Sequence, residues 1–504
     1  MFRDEDLAGG AVSSRSLNHS VRRGLGWSIL NTVVSRAGSL VSGIILARIL
    51  SPQDYGSYAV ALVVLNAVLS VNELGVSLAI VRWSTDPAEI APTVTSMALV
   101  SSTLLYLLCF VAAPFIAVAL NAPEASAMIR VVSLCVLFDA AAAVSSALIA
   151  RSFLQDRRLA IDLCGFILGV GLSVTLAMRG FGAWSMIWGL VLSNVVSSIT
   201  SVVVAPRRFG PGFDQSVVKP LLRFGAPLAG SSLLLFAMLN VDYLVVGHLL
   251  GAEALGLYLM AFNLCSWPVN VVSTTIRRVS LAGFSRAAEL AGLPAAIFVR
   301  SLRWVLIASL AFSIPLGVFA GPVLEILYGD KWIPAAQALR FLCVFAVGRI
   351  VVELAYDYFI SIDKNAFNLV LQAVWLAALV PSLVVGGRSA GVTGVGAAHA
   401  VVVVGVVTPL LVFGLLATGV TAQQLWRAVR RPLGGALPML LIAVGSVLLL
   451  SGAWAVVVLG GLGCVALYLA INWPSVKELR SPGAPNAPIE GCPSSPLTGA
   501  HDLG

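Results

Sequence analysis

Charged residues are scarce in this chain. Asp, Glu, Lys and Arg together make up 11% of its 504 residues, whereas soluble globular domains carry about 25%. Such a chain lacks the charged surface that keeps a globular protein in solution, so a water-soluble fold is excluded. Hydrophobic residues make up 59% of the sequence, and apolar stretches long enough to cross about 30 Å of hydrocarbon recur from end to end. The composition therefore predicts an integral membrane protein.

Motifs of soluble enzymes, metal sites and disulfide frameworks are also missing. The sequence contains no Walker A motif, no H-E-x-x-H and no G-x-S-x-G. Its seven cysteines form no C-x-x-C pair, and its four histidines lie far apart. We therefore expect no enzyme activity, no cofactor and no metal, and an ATP-driven pump on this chain alone is excluded. The net charge of +8 arises from basic residues in short loops, so we expect no nucleic-acid partner.

Segment lengths predict an all-α integral membrane protein with about 14 transmembrane helices. Most of the spans fall into two parallel six-helix lobes, and two additional helices trail behind them. The predicted regions are a disordered cytoplasmic tail (1–21), the N-terminal lobe (22–205), a basic cytoplasmic connector (206–223), the C-terminal lobe (224–420), two additional transmembrane helices (421–473) and a second disordered cytoplasmic tail (474–504).

The distribution of basic residues predicts that both termini are cytoplasmic. With the N-terminus inside, 23 of the 31 Lys and Arg residues lie in cytoplasmic segments and six lie outside. The remaining two, Arg36 and Arg349, lie within spans. Short loops rich in Lys and Arg stay on the cytoplasmic side. The asymmetry therefore supports an even number of spans with both termini inside.

An internal repeat relates the two lobes. The pattern L-x5-G-x-Y-x2-A occurs at the junction of the first and second spans of each lobe. The matching residues are Leu50, Gly56, Tyr58 and Ala61 in the first lobe, and Leu250, Gly256, Tyr258 and Ala261 in the second. Because each repeat holds an even number of spans, the lobes should be related by an axis along the membrane normal, and such transporters place their site between the halves.

Arginines in and next to the spans are candidates for binding a phosphorylated substrate. A charge inside the bilayer is costly and needs a reason, and the planar guanidinium group binds phosphate through two parallel hydrogen bonds. The candidate phosphate contacts are Arg36, Arg48, Arg277, Arg278 and Arg349. Two alternatives stay open: Arg277 and Arg278 can act only as topology determinants, and Arg36 can form a structural ion pair with Asp242 or Glu73.

Acidic residues within the spans are candidates for a coupling ion, a proton or structural ion pairs. They are Glu73, Asp139, Asp242, Glu353 and Asp357. Arg349, Glu353 and Asp357 follow one another at i, i+4 spacing and so share one helical face. Mutual neutralisation of Arg349 and Glu353 is the structural alternative to a role in transport.

Three segments resemble the oligosaccharide flippases of the multidrug/oligosaccharidyl-lipid/polysaccharide exporter superfamily. They are Ser35–Ala61, Asn72–Arg82 and Gly256–Pro268, the last followed by Phe284–Arg286. The resemblance implies two six-helix lobes with two trailing helices, no ATPase, and a polyprenyl-pyrophosphate-linked oligosaccharide as substrate. It also implies a cationic central cavity, in which Arg36 stands at the place of a first-span arginine found in some relatives.

The resemblance leaves the substrate open. Flippases of the peptidoglycan precursor carry an additional Arg-Asp pair later in the first span, where this chain has Val41-Ser42-Gly43. This departure favours a repeat unit of an exopolysaccharide or of an O-antigen-like glycan over the peptidoglycan precursor. A cation-coupled multidrug antiporter is the second hypothesis, although Arg36 and Arg349 would repel cationic drugs. A membrane-embedded polysaccharide polymerase or ligase is disfavoured, because no long outside loop is present.

The expected partners follow from this reading. They are the lipid-linked oligosaccharide, membrane lipids, and the polymerase and glycosyltransferases of the same pathway. The expected mechanism is alternating access, in which the headgroup crosses through the cavity while the polyprenyl tail stays in lipid.

Overall fold

The computed structural model describes residues 14–72, 80, 87–152, 154–287 and 293–480. Ten helices in this part of the chain are long and apolar enough to cross a membrane. Two of these are interrupted, one at Gly251 and one at Ala390–Gly391, and each therefore supplies two segments. Helices Ser14–Ile49 and Ala336–Ser361 are also of membrane length. The count of about 14 and the all-α class are confirmed. Helices prevail because every backbone polar group in hydrocarbon needs a partner within its own segment.

The described residues of the first lobe form seven helices of four or more residues. They are α1 (Ser14–Ile49), α2 (Pro52–Asn72), α3 (Pro87–Ala119), α4 (Ala125–Val132), α5 (Cys135–Arg151), α6 (Gln155–Met178) and α7 (Ala183–Val204). Helices α6 and α7 pack most closely, and α1 packs on α6. Glycines make the α6–α7 approach possible, since a Cβ atom on Gly169 or Gly189 would overlap the backbone of the other helix.

The second lobe repeats this plan with longer, bent helices. They are α8 (Gln215–Ala287), α9 (Leu293–Val318), α10 (Ala320–Tyr328), α11 (Ala336–Ser361), α12 (Asn365–Val402) and α13 (Thr408–Ala417). Helix α8 turns back at Gly251, whose φ of +82° lies in the region that favours glycine. It therefore forms a first arm (215–250) and a second arm (252–287). A 3₁₀ turn, Asp330–Ala335, joins α10 to α11.

The trailing helices pack against the second lobe. They are α14 (Ala422–Leu449), the short α15 (Ala453–Ala455) and α16 (Gly461–Arg480). Helix α14 begins with a capping box, in which Thr421 and Gln424 each bond the other's backbone N–H. Both α14 and α16 contact α9.

Three predicted boundaries need correction. Helix α1 begins at Ser14 rather than near residue 22, and α16 continues to Arg480 rather than ending at residue 473. Helix α8 begins at Gln215, so the connector is shorter than predicted. Hydropathy marks only the apolar part of a helix, whereas polar residues continue the same helix beyond the hydrocarbon. Residues 1–13 and 481–504 of the predicted tails lie outside the described ranges.

The two copies of the repeated motif meet at one end of the helix bundle. We call this the Gly251 end; it also holds Leu50 and Leu120, and the opposite end is the Arg151 end. A Cβ atom on Gly56 would overlap the carbonyl oxygen of Ala252, and one on Gly256 would overlap that of Pro52. This reciprocal contact of α2 with the second arm of α8 is of the kind that two repeated units would make, and it explains why both positions are glycine.

Candidate functional site

Arg48 joins the two lobes at the Gly251 end. Its guanidinium group donates to the carbonyl oxygen of Leu327, with Nε 3.1 Å away, and to that of Ile326. In return, Lys331 Nζ and Trp332 Nε1 donate to the carbonyl oxygens of Arg48 and Ala47, at 3.0 and 2.9 Å. The last carbonyls of a helix attract cations, so α10 holds Arg48 in this conformation. The structure thus places Arg48 apart from Arg36 and Arg349.

The same contact region is closed by aromatic packing. Trp332 is completely buried, and its ring lies edge-on against Tyr55 with 5.1 Å between ring centroids. Tyr55 Oη in turn donates to the carbonyl oxygen of Gly43 on α1. On the other side of the motif, His248 Nδ1 lies 2.6 Å from the carbonyl oxygen of Ala119. Side chains of both lobes therefore seal the Gly251 end.

Arg36 lies on α1 close in sequence to two polar residues, Asn31 and Ser35, and Asn31 contacts α6. Asn31 Nδ2 donates to Asp162 Oδ2 at 2.8 Å, and Ser35 Oγ donates to Asn31 Oδ1 at 3.2 Å. The Arg36 side chain itself is partly buried and makes no ion pair or hydrogen bond with any residue in the described ranges. The structural alternative in which Arg36 pairs with Asp242 is not observed.

Asp242 belongs to a buried polar cluster in the second lobe, the Asp242 cluster, formed with Tyr258 and His399. Tyr258 Oη donates to Asp242 Oδ2 at 2.6 Å, and His399 Nε2 lies 4.0 Å from the same oxygen. All three residues are buried, with exposed fractions of 4%, 0% and 2%. Rings of Phe262 and Phe345 surround His399. The cluster brings together residues from both arms of α8 and from α12.

The hydrogen bonds of His399 determine where a proton can sit in this cluster. Its Nδ1 lies 3.0 Å from the carbonyl oxygen of Val395, which can only accept, so Nδ1 carries a hydrogen. In the neutral ring, Nε2 then presents a lone pair toward the Asp242 carboxylate. Two acceptors facing each other repel, and a proton on Asp242 or on Nε2 would remove this repulsion. At 4.0 Å the two atoms are not hydrogen-bonded.

Arg349 lies beside this cluster and is paired along its own helix. Its Nε is 3.2 Å from Glu353 Oε1, and both side chains are partly buried. The mutual neutralisation anticipated from the i, i+4 spacing is therefore formed. A small cavity of about 90 Å³ is lined by Arg349, Asp242 and Trp375. Asp242 Oδ1 and Trp375 Nε1 are buried without a hydrogen-bond partner in the described part of the chain. A water or an ion in the cavity could supply the missing partner.

The remaining acidic candidates are separated. Asp357 is 1% exposed on α11 and has an interaction partner. Asp139 lies far from it, on α5 of the first lobe, where it lines a polar cavity of about 430 Å³. Glu73 lies outside the described residues, as do the side chains of Arg277 and Arg278.

A long apolar groove lies between the second lobe and the trailing helices. Its volume is about 930 Å³, and its walls come from α9, α11, α13, α14 and the π-helical turn Val403–Val407 that precedes α13. Representative lining residues are Leu306, Val347, Val351, Leu411 and Leu440. Arg340, near the start of α11, lines it at the Gly251 end. We refer to this feature as the apolar groove.

Sequence reasoning missed several residues of these sites. His399 and Trp375 were not singled out, and Tyr258 was named only as part of the internal repeat, although a histidine inside a long apolar span is a rare and usable signal. Asp162 and its partner Asn31 were missed because the hydrogen bond between them joins two helices and residues that are 131 positions apart in the sequence. Helix packing alone brings these groups together.

Comparisons with known proteins identify relatives of this chain. Over 329 residues the chain is 29% identical to the succinoglycan biosynthesis transport protein ExoT of Rhizobium meliloti. This alignment covers 64% of this chain and 66% of that protein. Over 386 residues it is 24% identical to the lipopolysaccharide biosynthesis protein WzxC of Escherichia coli, covering 75% and 78%.

The fold and the sequence family are both recognisable. The structure resembles the lipid II flippase MurJ in an inward closed conformation, with a TM-score of 0.72, 14% identity, and coverage of 90% of this chain and 100% of that one. At this identity the likeness concerns the fold. Residues 45–337 match the family described as polysaccharide biosynthesis protein. Because the match covers more than half of the sequence, this multi-pass membrane protein belongs to the polysaccharide biosynthesis protein family.

Proposed function

We propose that this protein flips a polyprenyl-pyrophosphate-linked oligosaccharide from the cytoplasmic to the outer leaflet, for the synthesis of an extracellular or O-antigen-like polysaccharide. Family membership and the names of the succinoglycan and lipopolysaccharide relatives support this substrate class. The observation that carries the proposal is the apolar groove, which runs along a lobe whose interior holds charged and polar side chains.

The groove fits the tail of such a substrate. A flexible polyprenyl chain needs a long apolar surface, and the groove offers about 930 Å³ lined largely by Leu and Val. The tail would then stay in contact with hydrocarbon, so that only the pyrophosphate and sugars need shielding during transport. The headgroup would pass between the lobes.

Arg36 is the arginine we assign to the pyrophosphate. It lies within a span, it is partly buried, and no described residue neutralises it. An arginine in this state gains from an anionic ligand, because the ligand supplies the hydrogen-bond acceptors that its five N–H groups lack. Arg349 has Glu353 as a partner, and α10 holds Arg48, so we assign these two residues secondary roles in binding.

Coupling to a proton is assigned to the Asp242 cluster. The carboxylate and the imidazole can share one proton, and the adjoining cavity gives a place from which it can exchange. Gain or loss of this proton would change the packing between the arms of α8 and α12, because Tyr258 is bonded to the same carboxylate.

The direction of transport rests on the predicted topology. With both termini in the cytoplasm, the closed Gly251 end faces outward, and the headgroup would enter from the Arg151 end. In this arrangement glycosyltransferases would supply the substrate at the inner surface, and a polymerase would consume it outside. The localisation we propose is the bacterial cytoplasmic membrane.

The proposal is tested in the source strain from which this gene has been deleted. Wild-type protein should restore surface polysaccharide and expose the lipid-linked sugars of intact spheroplasts to a membrane-impermeant reagent that oxidises vicinal diols. Arg36→Ala should restore neither at normal membrane levels, whereas Arg388→Ala, which removes an exposed arginine at the Gly251 end, should restore both.

Each alternative predicts a different outcome. A multidrug antiporter would leave the surface polysaccharide intact on deletion and raise drug sensitivity instead. A flippase of the peptidoglycan precursor would be required for growth rather than for the polysaccharide. Full complementation by Arg36→Ala would remove Arg36 from the mechanism.

A further inference from the structure

A polar recess lies within the first lobe, between α5, α6 and α7, and serves none of the roles assigned so far. Its volume is about 430 Å³, within the range of roughly 300–1,000 Å³ that small-molecule sites occupy. Polar lining residues include Asp139, Ser146, Asp162, Ser193, Asn194 and Ser197. They run from the Arg151 end, where α6 begins and α7 ends, toward the middle of α5.

Small residues open this recess in the helix packing. A Cβ atom on Gly165 would overlap Ser197 Oγ, and one on Gly169 would lie 2.7 Å from Ser193 Cβ. Helices α6 and α7 therefore approach closely along one edge. Beside this edge, the short side chains of Ser and Ala leave space that larger residues would fill.

The hydroxyl and amide groups of α7 are available for a ligand. Elsewhere in the protein, hydroxyls on spans bond the carbonyl one turn earlier, as Thr103 does with Leu99 and Thr175 with Gly171. By contrast, the side chains of Ser193, Asn194 and Ser197 make no hydrogen bond with any residue that the structure describes. Polar groups inside a membrane protein are costly to leave unbonded.

A fixed carboxylate completes the recess. Asp162 accepts from Asn31 Nδ2 at 2.8 Å and pairs with Arg158 at 3.2 Å, which holds it in place. A carboxylate accepts about four hydrogen bonds, so acceptor capacity remains. Asn31 also connects the recess to α1. Arg36 lies on the same helix, five residues after Asn31 and about 7.5 Å further along the helix axis.

The chemistry of this lining matches a saccharide better than the other parts of the substrate. Sugar hydroxyls both donate and accept, so they can bond carboxylates, serine hydroxyls and an amide together. Two carboxylates, those of Asp139 and Asp162, line the recess, and its one lining arginine, Arg158, is already paired with Asp162, an arrangement that disfavours a pyrophosphate. A polyprenyl tail would leave all these polar groups unbonded.

We propose that this recess is a saccharide-binding subsite, which takes the sugars next to the pyrophosphate of the transported lipid. The proposal rests on the proposed function, because it assumes a lipid-linked oligosaccharide with its pyrophosphate at Arg36. The two lobes then divide the substrate: the first lobe recognises the glycan, and the groove beside the second lobe holds the tail.

The test measures binding to the full chain in lipid nanodiscs with two probes. One is the lipid-linked oligosaccharide pool extracted from the gene-deleted source strain, and the other is sugar-free undecaprenyl pyrophosphate. The recess variant combines Asn194→Leu with Ser197→Ala. The control variant combines Thr103→Val with Thr175→Val, which removes two exposed hydroxyls that already bond their own helices.

Wild-type and control proteins should bind the saccharide-bearing lipid about tenfold or more tightly than the sugar-free lipid, the difference that two or more additional hydrogen bonds give. The recess variant should lose this preference and bind the sugar-free lipid unchanged. Equal affinities in the wild type, or a preference that survives in the recess variant, would overturn the subsite while leaving the proposed function standing. Binding of neither lipid to the wild type would overturn both.

Discussion

The contact of Gly56 with the second arm of α8 permits a sharp test of lobe movement. Any side chain at this position would overlap the carbonyl oxygen of Ala252, which is backbone and cannot rotate away. Gly56→Ala should therefore destabilise the state in which the Gly251 end is closed. Inserting one carbon into a tight contact typically costs about 1–3 kcal/mol, and a bias of that size changes the ratio of two conformations by roughly 5- to 150-fold.

The shift can be measured by electron–electron distance spectroscopy between two spin labels at the Gly251 end. Arg179→Cys and Ser389→Cys place one label on each lobe, at exposed positions, in a background without native cysteines. Gly56→Ala should move the distance distribution toward longer values. Gly256→Ala should do the same, because its Cβ atom would overlap the carbonyl oxygen of Pro52.

Gly171→Ala is the matched control, because a Cβ atom there meets nothing within 4 Å. It should leave the distance distribution unchanged. If both Gly56→Ala and Gly256→Ala give the wild-type distribution in folded protein, the two lobes do not separate at this contact, and the reasoning is refuted.

Three further predictions concern single side chains. Thr421→Ala removes the capping box with Gln424 and should destabilise the start of α14 by about 1 kcal/mol, seen as faster amide hydrogen exchange there. Asp214 Oδ1 accepts from Ser216 N and Oγ, which holds the pKa of Asp214 below its usual value. The resulting stability is present above the unfolded-state pKa of about 3.9 and is lost as pH falls through the folded value, so Asp214→Asn should flatten the acid dependence of hydrogen exchange at the start of α8. Asp242→Asn should abolish the response of transport to an imposed pH gradient in proteoliposomes while lipid binding persists, and an unchanged response would exclude the Asp242 cluster from coupling.

Hydropathy and the internal repeat were sufficient to predict most of the fold. The positions of the spans follow from apolar length, which depends only on local sequence. The reciprocal packing of Gly56 and Gly256 could also be anticipated, because the shared motif placed both at equivalent junctions. The pairing of Arg349 with Glu353 follows from helical spacing within one segment.

The sites were harder to predict from the sequence than the fold, because they depend on which helix faces pack against each other. His399 and Asp242 lie 157 residues apart, and only the packing of α12 against α8 brings them to 4.0 Å. Arg48 was a candidate phosphate contact in the sequence analysis, yet the carbonyl groups of a distant short helix accept hydrogen bonds from it. A single sequence contains no signal for such a backbone partner.

The attachment of the trailing helices has a mechanical consequence. Helix α14 forms one wall of the apolar groove while packing on α9, so the groove lies within the half of the molecule formed by the second lobe and the trailing helices. A lipid chain bound there would move together with that half during each cycle of the proposed transport. A shortened protein that ends after α13 would keep both lobes yet lose that wall. Its lobes could still move relative to each other, but they would no longer bind the lipid chain in the groove.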